Sequence, residues 1–285
     1  MRARFPPNRL ARKLAVALLL LALGGLAAAG WMYRTAIADP VVRRTEVALP
    51  GLAEPLTAVL ISDIHVVGPD MPPERLRRIV AQINAARPDL VLIAGDLVSD
   101  KRAATRSYAL SEAIAPLAAL RPRIGTFAVL GNHDHWRDAA EARRHLRQAG
   151  IAVLDNDAVQ AGPVAIGGLD DDYTGRADVP RTVARLRALS GGRILLSHSP
   201  DPFPQVPGDV PLMAAGHTHC GQIRLPLVGA PATMSDHGER YACGRIDEAG
   251  KTLIVSAGVG TSLLPLRLGA VPDLWLIELR PARAR

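Results

Sequence analysis

Five short apolar runs of this chain are each followed at once by side chains that commonly serve as ligands. The runs have the length and composition of buried β-strands, and they span residues 56–61, 90–94, 126–130, 194–196 and 212–215. The polar residues that follow them are Asp63, His65, Asp96, Asn132, His133, Asp134, His198, His217 and His219. Because ligand-binding residues of open α/β sheets collect at the carboxyl ends of strands, this pattern predicts one shared site.

Histidines are concentrated at these strand ends, which hold five of the eight in the chain. A single such histidine is usually a satisfied core residue, but five strand ends that carry Asp, Asn and His are hard to explain by packing. Gly131 adds to the pattern, because a glycine at a strand end lets the backbone turn tightly before Asn132. We expect His135, which follows this motif, to lie at the rim of the site.

The order of the predicted elements indicates the fold class. Strands and helices alternate in the first half, and strands dominate the second half. This order predicts an α/β fold with two packed mixed β-sheets flanked by helices, an αββα sandwich in one domain over residues 56–285. An all-parallel doubly wound sheet is the alternative. Residues 34–55 are expected to form a linker or an edge strand.

Four helices are predicted from apolar residues at helical spacing and from their end signals. They are expected over residues 73–87, 107–120, 138–150 and 179–189. Pro116 should kink the second of these helices, since a proline removes a backbone donor from the helix interior. Asp138 should cap the third, with Glu141 three residues further on.

Residues 14–33 form an uncharged, mostly apolar stretch that is long enough to span a bilayer as a helix. Five basic residues precede it, at positions 2, 4, 9, 12 and 13. The positive-inside rule then places the N-terminus in the cytoplasm and the main domain on the periplasmic side. Residues 1–33 are therefore a basic tail followed by a transmembrane anchor. The alternative is a cleaved signal segment with 27–29 as its cleavage site, which would export the domain.

The formal net charge of +7 does not indicate a nucleic-acid partner. Most of it comes from the five basic residues ahead of the apolar stretch. The chain has no internal basic block interleaved with aromatic residues, as nucleic-acid binding domains usually have. We therefore expect a membrane, and no nucleic acid, among the partners.

The donor types at the strand ends suit a pair of divalent cations. Nitrogen and oxygen ligands without obligatory thiolates are typical of Mn, Fe, Zn or Ni sites. Asp63 and His65 lie two residues apart on an extended segment and can point to the same side, as can His217 and His219. Asp96 is a lone carboxylate that can bridge two ions. Two ions about 3.5–4 Å apart form the clamp that hydrolyses phosphate esters, and they lower the pKa of a shared water.

The five motifs also occur in the order found in the calcineurin-like metallophosphoesterases, and the chain resembles that family over residues 56–279. The N-terminal anchor and the sequence of residues 216–222 are most similar to its membrane-associated bacterial branch. That branch is itself described as similar to UDP-2,3-diacylglucosamine pyrophosphatases. The resemblance implies a phosphoester hydrolase with the metallophosphoesterase fold.

The resemblance also implies a role for each candidate metal ligand. It assigns to the first metal ion Asp63, His65 and His219, and to the second Asn132, His198 and His217. Asp96 would bridge the two ions.

The resemblance gives His133 a catalytic role in place of a metal-binding one. It would face the scissile phosphate and stabilise developing charge or protonate the leaving oxygen. The family often has a supporting aspartate three residues after the Gly-Asp motif, where this chain has Ser99 followed by Asp100. Either Asp100 or Asp134 is therefore expected to support His133.

The two cysteines, Cys220 and Cys243, can form a disulfide if the domain lies outside the cytoplasm. Such a bond would pin the loop that follows His219. The alternative is a pair of free thiols, or Cys220 as an accessory group near a metal ion.

The expected function is hydrolysis of a phosphodiester, pyrophosphate or phosphomonoester bond by a metal-bridging hydroxide. A phospholipid or a nucleotide-linked lipid is a candidate substrate for an anchored enzyme, and a cell-wall phosphodiester is equally open. The alternative is a metal-binding sensor or scaffold protein without turnover.

Overall fold

Two six-stranded β-sheets form the centre of the protein in a computed structural model that describes residues 9–282. The strands are β1 (Val41–Leu49), β2 (Leu56–Ile61), β3 (Leu90–Ala94), β4 (Gly125–Val129), β5 (Ala152–Val153), β6 (Asp157–Ala161), β7 (Val164–Gly168), β8 (Gly192–Leu196), β9 (Leu212–Ala215), β10 (Gly244–Glu248), β11 (Lys251–Val255) and β12 (Asp273–Pro281). The first sheet has the order β1-β12-β2-β3-β4-β5, and the second has the order β10-β11-β9-β8-β7-β6.

Both sheets are mixed, as the sequence predicts. In the first sheet β2 to β5 are parallel, and β12 is antiparallel to β2. In the second sheet β7, β8, β9 and β11 are parallel, and β6 and β10 are antiparallel edge strands. The alternative of a single all-parallel sheet is therefore wrong.

Five α-helices accompany the sheets in the part of the chain that the structure describes. They are α1 (Arg9–Ile37), α2 (Pro73–Ala85), α3 (Leu110–Ile114), α4 (Asn132–Gln148) and α5 (Val179–Arg187). Short 3-10 helices occur at Ala115–Ala119, Phe203–Gln205, His219–Gly221 and Gly238–Tyr241.

The strands that lead to the candidate site are buried on both faces. Alternate residues of a strand point to opposite faces, so Leu60 and Leu92 fill the core between the two sheets. Ile61 and Ile93 point the other way and pack in the core that also contains α2, α3 and α4. Burial on both sides explains why these strands are almost continuously apolar in the sequence.

Helix boundaries differ from the predicted ones where proline or local capping intervenes. The helix expected over 107–120 is the short α3 followed by a 3-10 turn, and Pro116 lies in that turn. The helix expected from Asp138 begins six residues earlier, and its backbone breaks at Asp138 with φ −174° and ψ 93°. Oδ1 of Asp138 accepts a hydrogen bond from the amide of Glu141 at 2.8 Å, so it caps the second part of α4.

Several strands lie outside the five apolar runs of the sequence, among them the edge strands β1, β6 and β10. The segment 34–55, predicted as a linker or edge strand, contains β1, which pairs in parallel with β12 at the edge of the first sheet. The strands β6 and β10 are half-exposed edge strands of the second sheet, and their residues do not form a pattern that predicts a strand.

The helix α1 is long and apolar enough to cross a membrane, and its most apolar part is not buried in the protein. It extends beyond the predicted stretch 14–33 at both ends. Its last turn contacts the domain, where Ala36 is fully buried and the amide of Arg267 donates to the carbonyl of Met32 at 3.0 Å.

Candidate metal centre

The candidate ligands converge where the two sheets bring their carboxyl ends together. The strands β2, β3 and β4 of the first sheet and β8 and β9 of the second end at this edge. Left-handed backbone with φ between 48° and 70° occurs at five of the candidate ligands, namely Asp63, His65, Asp96, His217 and His219. Residues other than glycine rarely adopt this conformation, and such strain of about 1–3 kcal/mol each clusters at functional sites.

The first group of donors consists of Asp63, His65 and His219, whose ligand atoms all lie within 4.8 Å of one another. The Nε2 atoms of His65 and His219 are 3.0 Å apart. Oδ1 of Asp63 lies 3.4 Å from Nε2 of His219. All three side chains are buried, so the group is shielded from bulk water.

The second group consists of Asn132, His198 and His217. Nε2 of His198 lies 3.1 Å from Oδ1 of Asn132 and 3.1 Å from Nδ1 of His217. The opposite ring nitrogen of His217, Nε2, is buried without a hydrogen-bond partner among the residues that the structure describes.

The carboxylate of Asp96 lies between the two groups. Its Oδ2 atom is 3.4 Å from Nε2 of His65 and 3.3 Å from Nε2 of His198. Its other oxygen accepts a hydrogen bond from the amide of His133 at 2.9 Å. One carboxylate oxygen therefore faces donors of both groups, which is the position that a bridging ligand requires.

Backbone carbonyls fix the ring orientation of two histidines. Nδ1 of His198 lies 2.7 Å from the carbonyl oxygen of Ala94, and Nδ1 of His65 lies 3.2 Å from that of Val98. A carbonyl only accepts hydrogen bonds, so a proton resides on Nδ1 of each ring, and Nε2 is the nitrogen that can bind a cation. This is the usual outer support of metal-binding histidines.

Burial keeps most of the histidines in the uncharged form that binds cations. It lowers the pKa of His217 to about 3, and it lowers the pKa of His65 and of His219 well below the ordinary value. Burial also raises the pKa of Asp63 to about 6. A neutral imidazole is the metal-binding form, so the donor set fits divalent cations.

His198 and Asp96 behave differently because they face each other. Burial disfavours the charge on each, but their mutual attraction outweighs it. The pKa of His198 is raised well above its ordinary value, and the pKa of Asp96 is lowered well below its own. Without a bound cation, the pair is therefore an imidazolium and a carboxylate.

His133 has Asp100, and not Asp134, as its carboxylate partner. Nδ1 of His133 lies 2.5 Å from Oδ1 of Asp100. The fully buried carboxylate of Asp134 instead accepts hydrogen bonds from the amides of Leu97 at 2.9 Å and Gly131 at 3.0 Å. Asp134 thus joins the segments after β3 and β4 and does not face His133, which corrects the expectation that it could support that residue.

Comparison with known proteins identifies the family. The family model for "Calcineurin-like phosphoesterase" matches residues 56–221, more than half of the chain. The phosphodiesterase YaeI of Escherichia coli strain K12 is 35% identical over 240 residues, which covers 80% of this chain and 83% of that protein. The chain belongs to the calcineurin-like metallophosphoesterase family. It is therefore a metal-dependent phosphoesterase.

Two further relatives are also named as metallophosphoesterases. The uncharacterized metallophosphoesterase YkuE of Bacillus subtilis strain 168 is 31% identical over 217 residues, 73% of either protein. A Danio rerio "transmembrane protein with metallophosphoesterase domain" is 30% identical over 253 residues, covering 82% of this chain and 55% of that protein. Among solved structures, a 5'-nucleotidase precursor of Thermus thermophilus aligns with a TM-score of 0.45 at 16% identity, over 79% of this chain and 55% of that one.

Two exposed aromatic residues border the metallophosphoesterase site, and no motif in the sequence predicts them. The ring of Trp136 lies 4.9 Å from that of His133, and the ring of Tyr173 lies 4.7 Å from that of His217. About half of each side chain is exposed. His135, which precedes Trp136 in the chain, contacts Oδ1 of Asp170 through Nε2 at 2.7 Å. The signal available in the sequence is the position of Trp136 directly after the histidine motif.

A cavity of about 510 Å³ opens beside Tyr173. It is lined by Asp172, Tyr173, Ser199, Asp201 and the segment 231–236. The loops that shape this cavity carry no sequence motif, so the sequence offers no indication of its form.

Arg267 is a further residue near the site that no motif in the sequence predicts. Its fully buried guanidinium donates to the carbonyls of Ala257 at 2.7 Å and Gly260 at 2.6 Å. Its Nη2 atom also lies 3.3 Å from Nδ1 of His219. Burial lowers the pKa of Arg267 to about 10, so it remains charged at neutral pH. It holds the loop after β11 against the candidate ligand His219.

A disulfide joins Cys220 and Cys243, one of the three options that the sequence leaves open. Cys220 follows His219 directly and is buried. The bond ties the short turn that carries His219 to the segment that precedes β10.

Proposed function

We propose that the protein is a membrane-anchored phosphoesterase that uses two divalent cations. Asp63, His65 and His219 hold one cation, and Asn132, His198 and His217 hold the other. The observation that carries this proposal is the position of Asp96. Its Oδ2 atom lies 3.4 Å from Nε2 of His65 and 3.3 Å from Nε2 of His198. A carboxylate oxygen placed between two groups of donors suits two cations better than one.

The cations and the protein contribute different parts of the chemistry. When bound, a pair of divalent cations polarises a phosphoryl group and lowers the pKa of water, which is what hydrolysis of a phosphoester needs. The amide of His133 donates to Oδ1 of Asp96, which holds the segment 131–134 next to the proposed bridging carboxylate. Asp134 supports the same loop through Gly131 and Leu97.

His133 acts on the leaving group in this proposal. Asp100 accepts from Nδ1 of His133, which fixes the ring and leaves Nε2 for the substrate. A protonated Nε2 donates a hydrogen bond to the leaving oxygen as the bond to phosphorus breaks, and it transfers its proton there. Trp136 packs edge-on against the same ring and restricts its rotation.

The orientation of the chain follows from its N-terminal charges. Five basic residues precede the apolar stretch 14–33 of α1, and by the positive-inside rule the N-terminus lies in the cytoplasm and the catalytic domain on the periplasmic side. A disulfide near the site is consistent with an oxidising compartment. A phosphodiester, a pyrophosphate or a monoester linked to a lipid is the substrate class that an anchored enzyme meets first.

The test is to purify the full chain in detergent without chelator, measure its metal content, and assay a soluble phosphodiester and a phosphomonoester. We expect about two ions per chain, with turnover that EDTA abolishes and Mn²⁺ restores. One ion per chain with full activity would contradict the two-cation proposal. Two ions without turnover on either ester would favour a metal-binding sensor over a hydrolase of such esters.

A further inference from the structure

Large apolar side chains are exposed on two neighbouring loops of the domain. We call residues 222–230 and 260–268 the apolar loops. Leu227 is fully exposed, and the exposed fractions of Leu263, Val228 and Leu264 are 76%, 73% and 52%. Single exposed leucines are ordinary on a soluble surface, whereas a group of them marks a protein or membrane interaction site.

Hydrogen bonds join the two apolar loops into one surface. Nε2 of Gln222 donates to the carbonyl of Leu264 at 3.0 Å, and its Oε1 accepts from the amide of Ser262 at 2.8 Å. The amide of Arg224 donates to the carbonyl of Leu268 at 2.7 Å. Gln222 lies three residues after His219, so this surface adjoins the metal centre.

The membrane helix meets the domain at the same place. The carbonyl of Met32, in the last turns of α1, accepts from the amide of Arg267 in the second apolar loop at 3.0 Å. Trp31, one residue earlier, is 69% exposed, as is typical of aromatic residues at a membrane interface. The surface of the apolar loops is therefore continuous with the domain-proximal end of α1.

Strand directions place this junction at the catalytic edge of the sheet. The first residue of β1, Val41, pairs with Asp273 at the start of β12. β12 runs antiparallel to β2, and Trp275 pairs with Leu60, close to the end of β2 that leads to Asp63. The chain thus passes from α1 into the domain at the edge that carries the metal ligands and not at the opposite edge.

We propose that the apolar loops enter the surface of the bilayer from which α1 emerges and hold the metal centre at the level of the lipid headgroups. This inference rests on the proposed membrane anchor. A lipid surface fits these loops because α1 has an apolar part long enough to span a bilayer, and the end of α1 nearer the domain contacts the second apolar loop. The substrate class that reaches the site is then a phosphoester carried by a lipid in the headgroup layer.

Site-directed spin labelling of the full chain tests the position of the loops. Single cysteines are introduced as Leu227→Cys and Leu263→Cys, labelled with a nitroxide without reductant, and reconstituted into phosphatidylcholine and phosphatidylglycerol vesicles. The native cysteines form a disulfide and do not react with the label. Power saturation with oxygen and with a water-soluble nickel chelate then reports the depth of each label.

Two reference positions calibrate the measurement. Leu20→Cys lies within α1 and gives the value of the bilayer interior. Ala53 is exposed beyond the far end of the nine-residue β1, about 30 Å from the junction with α1. A label at Ala53→Cys therefore gives the accessibility expected of a site in water.

We expect labels at Leu227 and Leu263 to be more accessible to oxygen than to the nickel chelate, as the Leu20 label is. Labels in both loops that match the Ala53 label would overturn the proposal. Spin–spin broadening that disappears on dilution with unlabelled protein would also overturn it, because the loops would then contact a second copy.

A second variant tests the substrate class. Leu227→Asp together with Leu263→Asp places charge on both loops, and Ala53→Asp is the matched control. In vesicles of bacterial phospholipid, we expect the loop variant to lose about tenfold or more of its hydrolysis of lipid phosphoesters, measured by mass spectrometry of the lipids. Hydrolysis of a soluble phosphodiester should stay within about twofold of the unmodified chain.

The outcomes separate this inference from the proposed function. If the labels lie in the bilayer but the protein hydrolyses no ester, the membrane-docking surface is supported and the proposed function is contradicted. Turnover of soluble esters with lipids unchanged would overturn the lipid substrate class. Equal loss of both activities in the loop variant would show a folding defect at the site and would contradict a specific role in membrane docking.

Discussion

Nε2 of His198 lies 3.3 Å from Oδ2 of Asp96, and both side chains are buried at the centre of the site. The attraction between them raises the pKa of His198 well above its ordinary value. His198 is also a proposed metal ligand, and a ligand must lose its proton before it binds a cation. Metal binding and proton release are therefore coupled at this residue.

Cation binding should release a proton from the metal-free protein at neutral pH. Because the pKa of His198 lies above its ordinary value, the ring is still protonated at pH 7 and the affinity for the cation rises with pH. The increase is at most about tenfold per pH unit for one released proton. Calorimetric titration with Mn²⁺ in two buffers of different ionisation enthalpy measures the number of protons released. A titration without proton release would show that His198 is neutral before the cation binds.

The variant His133→Ala should keep its metal and lose most of its activity. The loss expected for removal of a proton donor is about 10²–10⁴-fold in kcat. His145 lies on α4, where it contacts Gln148 at 3.1 Å, and His145→Ala serves as the matched control. Metal content and kcat are measured on both variants. Full activity of His133→Ala would remove His133 from the mechanism.

The variant Asp100→Asn should lower kcat by a smaller factor than His133→Ala. The carboxylate of Asp100 orients the His133 ring, but its side chain is 58% exposed, and solvent weakens such a pair. A loss of about tenfold with unchanged metal content is expected. Asp209→Asn is the control, since Asp209 is a partly exposed carboxylate that pairs with Arg187 at 2.7 Å. If both variants had the same kcat, the contact between Asp100 and His133 would be irrelevant to turnover.

Reduction of the Cys220–Cys243 disulfide should destabilise the domain and weaken the metal site. Closing a loop between residues 23 positions apart stabilises a protein by roughly 3 kcal/mol. A reductant is therefore expected to lower the melting temperature by about 5–10 °C. Because Cys220 follows His219, the cation should also bind more weakly. The double variant Cys220→Ser with Cys243→Ser should show the same lowered values and no further response to the reductant; a response there would indicate an effect unrelated to the disulfide.

The sequence predicts the core strands and the site well because buried strands require continuous apolar runs and the site requires polar side chains at the strand ends. Strands such as β2 and β3 are buried on both faces, so their residues are apolar without interruption. Where such a strand ends, polar side chains such as those of Asp63 and Asp96 have no packing role to explain them. The convergence of five strand ends then follows from the ordinary behaviour of α/β sheets.

Other elements have no clear pattern in the sequence from which they could be predicted. The edge strands β6 and β10 are half-exposed, so they lack both the apolar run and the strict alternation that identify a strand. The first turns of α4 consist of Asn132, His133 and other polar residues, so they show no apolar face. Arg267 and Tyr173 reach the site from loops far along the chain, and only tertiary structure brings them to His219 and His217.

The connection between α1 and β1 is three residues long, and α2 fixes it from the side. Arg75 donates to the carbonyl of Ala38 at 2.7 Å, and Gln82 donates to that of Pro40 at 2.9 Å. A domain joined to its membrane helix by such a short and fixed linker cannot move far from the bilayer surface. An anchored copy would therefore find its substrates by lateral diffusion in two dimensions, and its turnover would follow the surface density of substrate in its own bilayer, not the concentration in the surrounding solution.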